Sequence, residues 1–264
     1  MEAESQGAPA APQSSTDAKP IELDRRDRVA LLFRKATEMK VGTLILMEGV
    51  DLPSIKRLGK LFAKIPDPRH YHAVRPRGFE KNRPLLYEYW AELPRHGDLA
   101  LYEHSYYYAL ARRIRGGKFK GRALKRALSE FQSFETTLEN NGYLVIKLNL
   151  ERGRKALRKD FEKKYDKKPE GKIVRKRFRR FLDGYKKYTE IYADLRERSE
   201  STGTPWFSPK TGDKRELEAS VLDFLIEYLE QKLGCDSLAE VREFDEAMRK
   251  VREMAKGNKD VTAG

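Results

Sequence analysis

The chain has 264 residues, enough for one α/β core with a tail. It carries 55 Lys and Arg against 41 Asp and Glu, a net charge of +14, which points to a polyanionic partner: nucleic acid, an anionic membrane surface or a phosphate polymer. The single cysteine, Cys235, excludes an internal disulfide and most cysteine-based metal sites, and no apolar run is long enough to span a bilayer.

Residues 1–20 are small, polar and Pro-containing, which predicts a disordered tail. They lack the basic and apolar parts of a signal peptide, so a cytoplasmic protein is expected. Ile21 to Lys40 has Val29, Leu32, Phe33 and Ala36 on one side, a charged amphipathic helix. A short apolar run from Val41 then ends in Glu48-Gly49, a strand followed by a tight turn through Asp51, Pro53 and Ser54. Ile55, Leu58, Leu61, Phe62 and Ile65 have helical spacing.

A turn at Pro66–Arg69 leads to a second strand, His70–Val74, closed by Pro76. Arg75, Arg77, Lys81 and Arg83 form a basic connector, Pro84–Leu93 a helix, and Asp98–Tyr102 a third strand running into Glu103-His104-Ser105. Ala123–Asn140 reads as a long helix stopped by Gly142, and Tyr143–Leu150 as the fourth strand. Roughly half of Arg152–Arg180 is Lys or Arg, which fits either a solvated helical face or a polyanion contact. A Tyr-rich helix (Leu182–Leu195), a short strand (Thr204–Phe207), a turn through Gly212-Asp213 and a helix (Lys214–Leu233) follow. A further charged helix starts after Asp236 or Ser237 and runs to Lys256, with a tail from Gly257. Apolar strands alternating with helices imply a parallel sheet covered on both faces, with ligands at the C-terminal ends of its strands. Gly49–Lys56 and Glu103–Ser105 therefore share one edge. His70, His72 and His96 have no partner spacing that suggests a metal.

Strand, turn, helix is the layout of a phosphate-binding loop, and equally of an ordinary crossover. Such a loop needs a Gly at the turn–helix junction for close backbone approach, then a Lys to reach the phosphoryl group. Counted from Gly49, Ser54 stands at the Gly position and Ile55 at the Lys position; Lys56 comes one place late, about 100° further round the helix.

Taken together these landmarks resemble the polyphosphate kinase type 2 family over about residues 25–235. The resemblance rests on Glu48-Gly49-Val50-Asp51, Pro68-Arg69, Tyr89-Trp90 through Leu93-Pro94 to Gly97, and Ser105 with Tyr107. It continues through Phe134-Glu135, Leu138, Gly142, Lys147, Thr204-Pro205-Trp206 and Asp213-Lys214-Arg215. It implies a three-layer P-loop kinase-like α/β fold with a central parallel sheet. It also implies phosphoryl transfer between inorganic polyphosphate and nucleotides with Mg²⁺, under a basic lid that here spans 151–195. The family's loop reads Glu-Gly-x-Asp-x-x-Gly-Lys-Gly, and a Phe-Asp-Arg-Ser-Trp-Tyr-Asn run follows the third strand. Here Asp51 is kept, Ser54-Ile55-Lys56 replaces Gly-Lys-Gly, and Glu103-His104 replaces Asp-Arg.

By that resemblance Asp51 and Glu103 are the candidate catalytic and Mg²⁺-holding carboxylates. Gly49, Ser54, Lys56, Arg57, His104, Arg175, Lys176 and Arg179 are candidate phosphate contacts. The departures all fall on chemistry: loop Gly and Lys orient phosphate, the carboxylates hold metal, and the Arg stabilises developing charge, which His104 matches only when protonated. The expected function is therefore binding of polyphosphate, nucleotide or both, with transfer lost or reduced, as a homo-oligomer or beside an active relative. An active transferase with a variant loop, and a basic nucleic-acid-binding protein without a recognisable module, are the competing readings.

Overall fold

In the computed structural model, the described residues are 23–243 except 77, 81, 166–170, 201–203 and 210–212, together with 246, 247 and 250. The expected tails, the turn at Gly212, two members of the basic connector and about half of the last charged helix lie outside them. Asp24–Ser237 forms one compact unit; in the remainder, residues 238–243 are helical.

The first helix, α1 (Arg25–Glu38), starts later than its periodicity suggests because Asp24 caps it, accepting from the backbone N–H groups of Arg26 and Asp27. Strand β1 (Gly42–Glu48) is buried throughout, which explains its unbroken apolar run. Helix α2 (Leu52–Phe62) begins three residues before Ile55. Asp51 caps it by accepting from Ser54 N–H at 3.1 Å, and Pro53 costs nothing in a first turn whose N–H groups have no helical partner. Ser54, Ile55 and Lys56 are thus helical residues rather than loop.

A 3₁₀ turn (Pro68–His70) precedes β2 (Tyr71–Val74); α3 is only Tyr87–Ala91, and β3 spans Leu99–Glu103. Helix α4 (Tyr106–Arg115), capped by Ser105, went unread in the sequence. Helix α5 is Gly121–Asn140 and β4 is Tyr143–Asn149. The basic stretch forms two helices, α6 (Arg154–Tyr165) and α7 (Gly171–Asp183). Gly184 separates α7 from α8 (Tyr185–Ser199), so the Tyr-rich helix is not continuous from Leu182. Strand β5 (Trp206–Phe207) and α9 (Lys214–Leu233) complete the unit.

The five strands are all parallel in the order β2-β3-β1-β4-β5. Alternation along β1 sends Ile45 and Met47 to one face, where α1, α2 and α9 cover them, and Leu44 and Leu46 to the other, under α3, α4, α5 and α8. This is the expected three-layer P-loop kinase-like arrangement. Leu157 and Phe161 of α6 pack with Phe178 and Leu182 of α7 as a small core of their own, with Phe161 and Phe178 stacked at 3.8 Å.

Candidate functional site

Three strand ends meet at the C-terminal edge of the sheet. β1 pairs with β3 and with β4, bringing Met47 beside Glu103 and Glu48 beside Asn149. The chain leaving β1 presses on the chain leaving β4: Asp51 N–H donates to the Leu150 carbonyl at 2.9 Å, and Leu150 N–H to the Glu48 carbonyl at 2.8 Å. Gly49 makes this possible. Its φ is +110°, and a β-carbon there would lie 2.3 Å from the Leu150 oxygen.

Asp51 is completely buried, and its carboxylate is committed. The guanidinium of Arg152, itself 4% exposed, grips it through both oxygens: Nε donates to Oδ2, and Nη2 to Oδ1 at 3.0 Å. Arg152 also donates from Nη1 to Asp160 of α6 at 2.8 Å, and Asp160 pairs with Lys214 of α9 at 2.7 Å. The hydroxyl of Tyr185 donates to the Arg152 carbonyl at 2.9 Å. Burial alone would push the guanidinium down, but its hydrogen bonds to Asp51 and Asp160 and their charges reverse this and hold it above its ordinary value. A single chain of charge therefore links the β1 loop, α6 and α9. A bidentate guanidinium–carboxylate pair of this kind is among the stronger charge-assisted contacts.

Glu48, the last residue of β1, is also completely buried. Burial pushes its carboxyl up to about 7, against hydrogen bonds from Ser105 N–H and the Tyr192 hydroxyl, the latter at 3.0 Å. His104 has φ +75°, uncommon for a residue with a β-carbon, and stacks on Tyr108 with 4.1 Å between ring centroids. Its Nδ1 is buried without a hydrogen-bond partner, and desolvation lowers it to about 4. At neutral pH it is an uncharged ring, unlike the arginine it replaces. Glu103 accepts from Arg75 at 3.0 Å and rests against α2 at Gly59, where a β-carbon would fall 2.3 Å from Oε1.

The remaining candidates divide. Gly49, Ser54 and Asp51 are brought together, and His104 follows Glu103 at the same edge. Lys56 is exposed on α2, and Arg57 turns to α9, where it and Arg26 share Glu218. Ile55, at the position of the loop lysine, is 2% exposed within the apolar cluster under α9. Arg175 and Arg179 line a cleft between α6 and α7 together with Arg154 and Arg158; Lys176 is exposed on the same helix. As arranged, the donors do not fit a Mg²⁺ ion: both oxygens of the buried Asp51 accept from Arg152, and Glu103 accepts from Arg75. Among the described residues no group of three or more His, Cys, Asp and Glu is placed to hold a metal. His70 and His72 do converge, both on Asp98, at 2.7 and 3.1 Å.

Arg152 is the member that sequence reasoning missed. It appeared only as the first residue of a basic run. The signal was its place two residues past Leu150, at the end of a strand that neighbours β1, but that needs the strand order. No helix among the described residues is long and apolar enough to cross a membrane.

A family model for polyphosphate kinase 2 matches residues 14–235. Polyphosphate:AMP phosphotransferases of Pseudomonas syringae pv. tomato and Pseudomonas aeruginosa are 27% and 28% identical over 209 and 201 residues. These matches cover 75% and 74% of this chain but 41% and 40% of the relatives, so the chain spans about two fifths of their length. The crystal structure of polyphosphate kinase 2 from Arthrobacter aurescens TC1 shares the fold, with a TM-score of 0.71 at 18% identity over 80% of this chain and 77% of that one. The matched model runs through all five strands and helices α1 to α9 among the described residues, and the chain belongs to the polyphosphate kinase 2 family.

Proposed function

We propose that this domain binds polyphosphate, nucleotide or both, and that phosphoryl transfer is lost or much reduced. One observation carries the reading: the carboxylate expected to face metal and phosphate is held by Arg152. Transfer depends on positioned cations and carboxylates around the phosphoryl group. Here Asp51 is neutralised from within, His104 is uncharged, and Ile55 is part of the core. The names of the curated relatives make AMP the first acceptor to try. The lid helices α6 and α7, with Arg175, Lys176 and Arg179, are the polyanion contact on this reading, because a flexible phosphate polymer needs closely spaced charge more than fixed geometry. The setting is cytoplasmic, and the domain acts as a homo-oligomer or beside an active relative, holding chains that the relative uses.

The test pairs binding with turnover. Labelled polyphosphate is titrated across a salt series into the parent and into R175Q/K176Q/R179Q/R180Q. Transfer from polyphosphate with Mg²⁺ to AMP, ADP, GMP and GDP is assayed in parallel. The parent should bind with an affinity that falls steeply with salt, and the variant should bind more weakly with a flatter dependence. Transfer should stay at background. Turnover on the order of 1–100 s⁻¹, ordinary for a kinase, or unchanged binding by the variant, overturns the reading.

A further inference from the structure

The lid is not the only concentration of positive charge. From Arg112 to Arg126 the chain has eight Lys and Arg and no acidic residue; indeed no Asp or Glu occurs from His104 to Ser129. The lid stretch 152–180 has fifteen Lys and Arg against four acids. These two stretches outweigh the +14 of the whole chain, so the rest of the protein is net negative. Charge of one sign has been gathered into two places.

The structure exposes the first stretch along the end of α4, the connection and the start of α5. Arg112, Arg115, Lys118, Lys120, Arg122 and Lys125 are all exposed. Among the described residues most arginines elsewhere on the surface are matched, for example Arg25 with Asp223, Arg28 with Glu230, Arg69 with Asp67 and Arg198 with Asp194. Here Arg126 pairs with Glu130, whereas Lys118, Lys120, Arg122 and Lys125 meet no carboxylate among the described residues. The first turn of the twenty-residue α5 has no acidic residue to offset its positive dipole end. Beside it Phe79, Arg112, Arg113 and Lys118 border an open cleft of about 420 Å³.

The two basic surfaces adjoin. Arg115 lies over the ring of Tyr188 at 5.0 Å, against Gly184, where a β-carbon would stand 2.8 Å from its Nη2. Gly184 is the break between α7 and α8, so Arg115 abuts the end of the lid. Helix α7 carries a single carboxylate, Asp183, at that end.

We infer that the Arg112–Arg126 surface is a second polyphosphate-binding site, which takes the distal part of a long chain whose near part lies on the lid. The inference rests on the polyphosphate-binding reading above. A folded acidic partner would need a shaped, partly apolar surface, and a nucleic acid would gain from exposed stacking rings. This strip offers exposed Lys and Arg on a ridge, while Phe79 and Phe119 are turned inward against the core. A linear polyanion engaged at both sites gains avidity that a short one cannot, because the second contact becomes intramolecular.

The test uses two probes of the same chemistry, tripolyphosphate and long-chain polyphosphate, with single-stranded RNA as a third. K118Q/K120Q/R122Q/K125Q removes four exposed charges without breaking an ion pair, and circular dichroism checks that it is folded. Its affinity for the long chain should fall at least tenfold and its salt dependence should flatten. Tripolyphosphate, bound at the lid, should change by less than twofold. Equal losses for both probes, or no loss for the long chain, overturn the second site while leaving the binding function standing. RNA bound more tightly than long-chain polyphosphate at matched salt, and released by the same variant, makes the strip a nucleic-acid surface instead. A parent protein that binds neither polyphosphate removes the function and the inference together.

Discussion

Two ion pairs among the described residues have both side chains buried, Lys147–Glu135 and Arg152–Asp51, and they are built differently. Lys147 on β4 and Glu135 on α5 are both fully inaccessible and lie 2.9 Å apart. The other Glu135 oxygen accepts from the hydroxyls of Tyr106 and Tyr107 at 2.7 and 2.8 Å, and the Lys147 ammonium faces the rings of Tyr107 and Trp206. That pair is closed: each partner is met by groups from the sheet and the helices above it. Asp51–Arg152 is open-ended. It stands where the strands deliver their loops and runs on through Asp160 to Lys214, which is 41% exposed. The first pair fixes helices to strand. The second stands at the C-terminal edge of the sheet and joins the loop after β1 to a residue at the start of the basic stretch.

The largest effect should come from breaking the closed pair. Lys147→Met leaves a buried carboxylate without its cation and should cost about 3–5 kcal/mol, read by urea denaturation at neutral pH. E135Q/K147M should recover much of the loss, because no uncompensated charge then remains. Next is the backbone contact beneath the open pair. Gly49→Ala forces a β-carbon against the Leu150 carbonyl in a left-handed conformation and should cost about 3 kcal/mol. An alanine variant as stable as the parent would mean that the two loops are not in contact.

A smaller effect separates the two titrating groups at the site. Glu48 sits near 7 in the folded state against an ordinary 4.5, so the native protein keeps a proton that the unfolded chain has released. Its contribution weakens as pH rises from about 4.5 to about 7. His104 is at about 4 against 6.5, so its contribution weakens as pH falls from about 6.5 to about 4. The two slopes oppose each other in the parent. Glu48→Gln should leave stability falling towards acid, and His104→Asn should leave it falling towards neutrality, each by on the order of 1–3 kcal/mol across its window. Parallel curves for parent and variants would show that neither group is perturbed. Ile55→Lys supplies a missing charge but places it in the core; it should destabilise the protein and leave polyphosphate-to-ADP transfer at background.

The central strands β1, β3 and β4 were legible because they are largely buried and so read as apolar runs between turn signals, as in Leu44–Met47 and Leu144–Ile146. The shared edge of Gly49–Lys56 and Glu103–Ser105 followed from alternation alone. Other features were hidden for identifiable reasons. Helix α4 has helical spacing at Tyr106, Tyr107, Leu110, Ala111 and Ile114, but its three tyrosines drew attention as a motif rather than as a face. The start of α2 was placed late because Pro53 suggests a turn until Asp51 is recognised as the cap. The Asp51–Arg152 pair joins residues 101 apart, and only the adjacency of β1 and β4 brings them together. The pairing of β2 with β3 likewise brings His70, in the 3₁₀ turn, and His72, on β2, to Asp98, which local spacing could not reveal.

The central claim is that Arg152, rather than a ligand or solvent, occupies Asp51 in the resting protein. A double-mutant cycle on folding stability tests it most directly, with Asp51→Asn, which keeps an oxygen for the α2 cap, Arg152→Met, and the two combined. The arrangement predicts that each single change costs about 2–4 kcal/mol and that the coupling is about 2 kcal/mol or more, with the double variant far less damaged than the sum. A coupling within about 0.5 kcal/mol of zero, as for exposed or separated residues, would contradict it and leave Asp51 available for metal and phosphate.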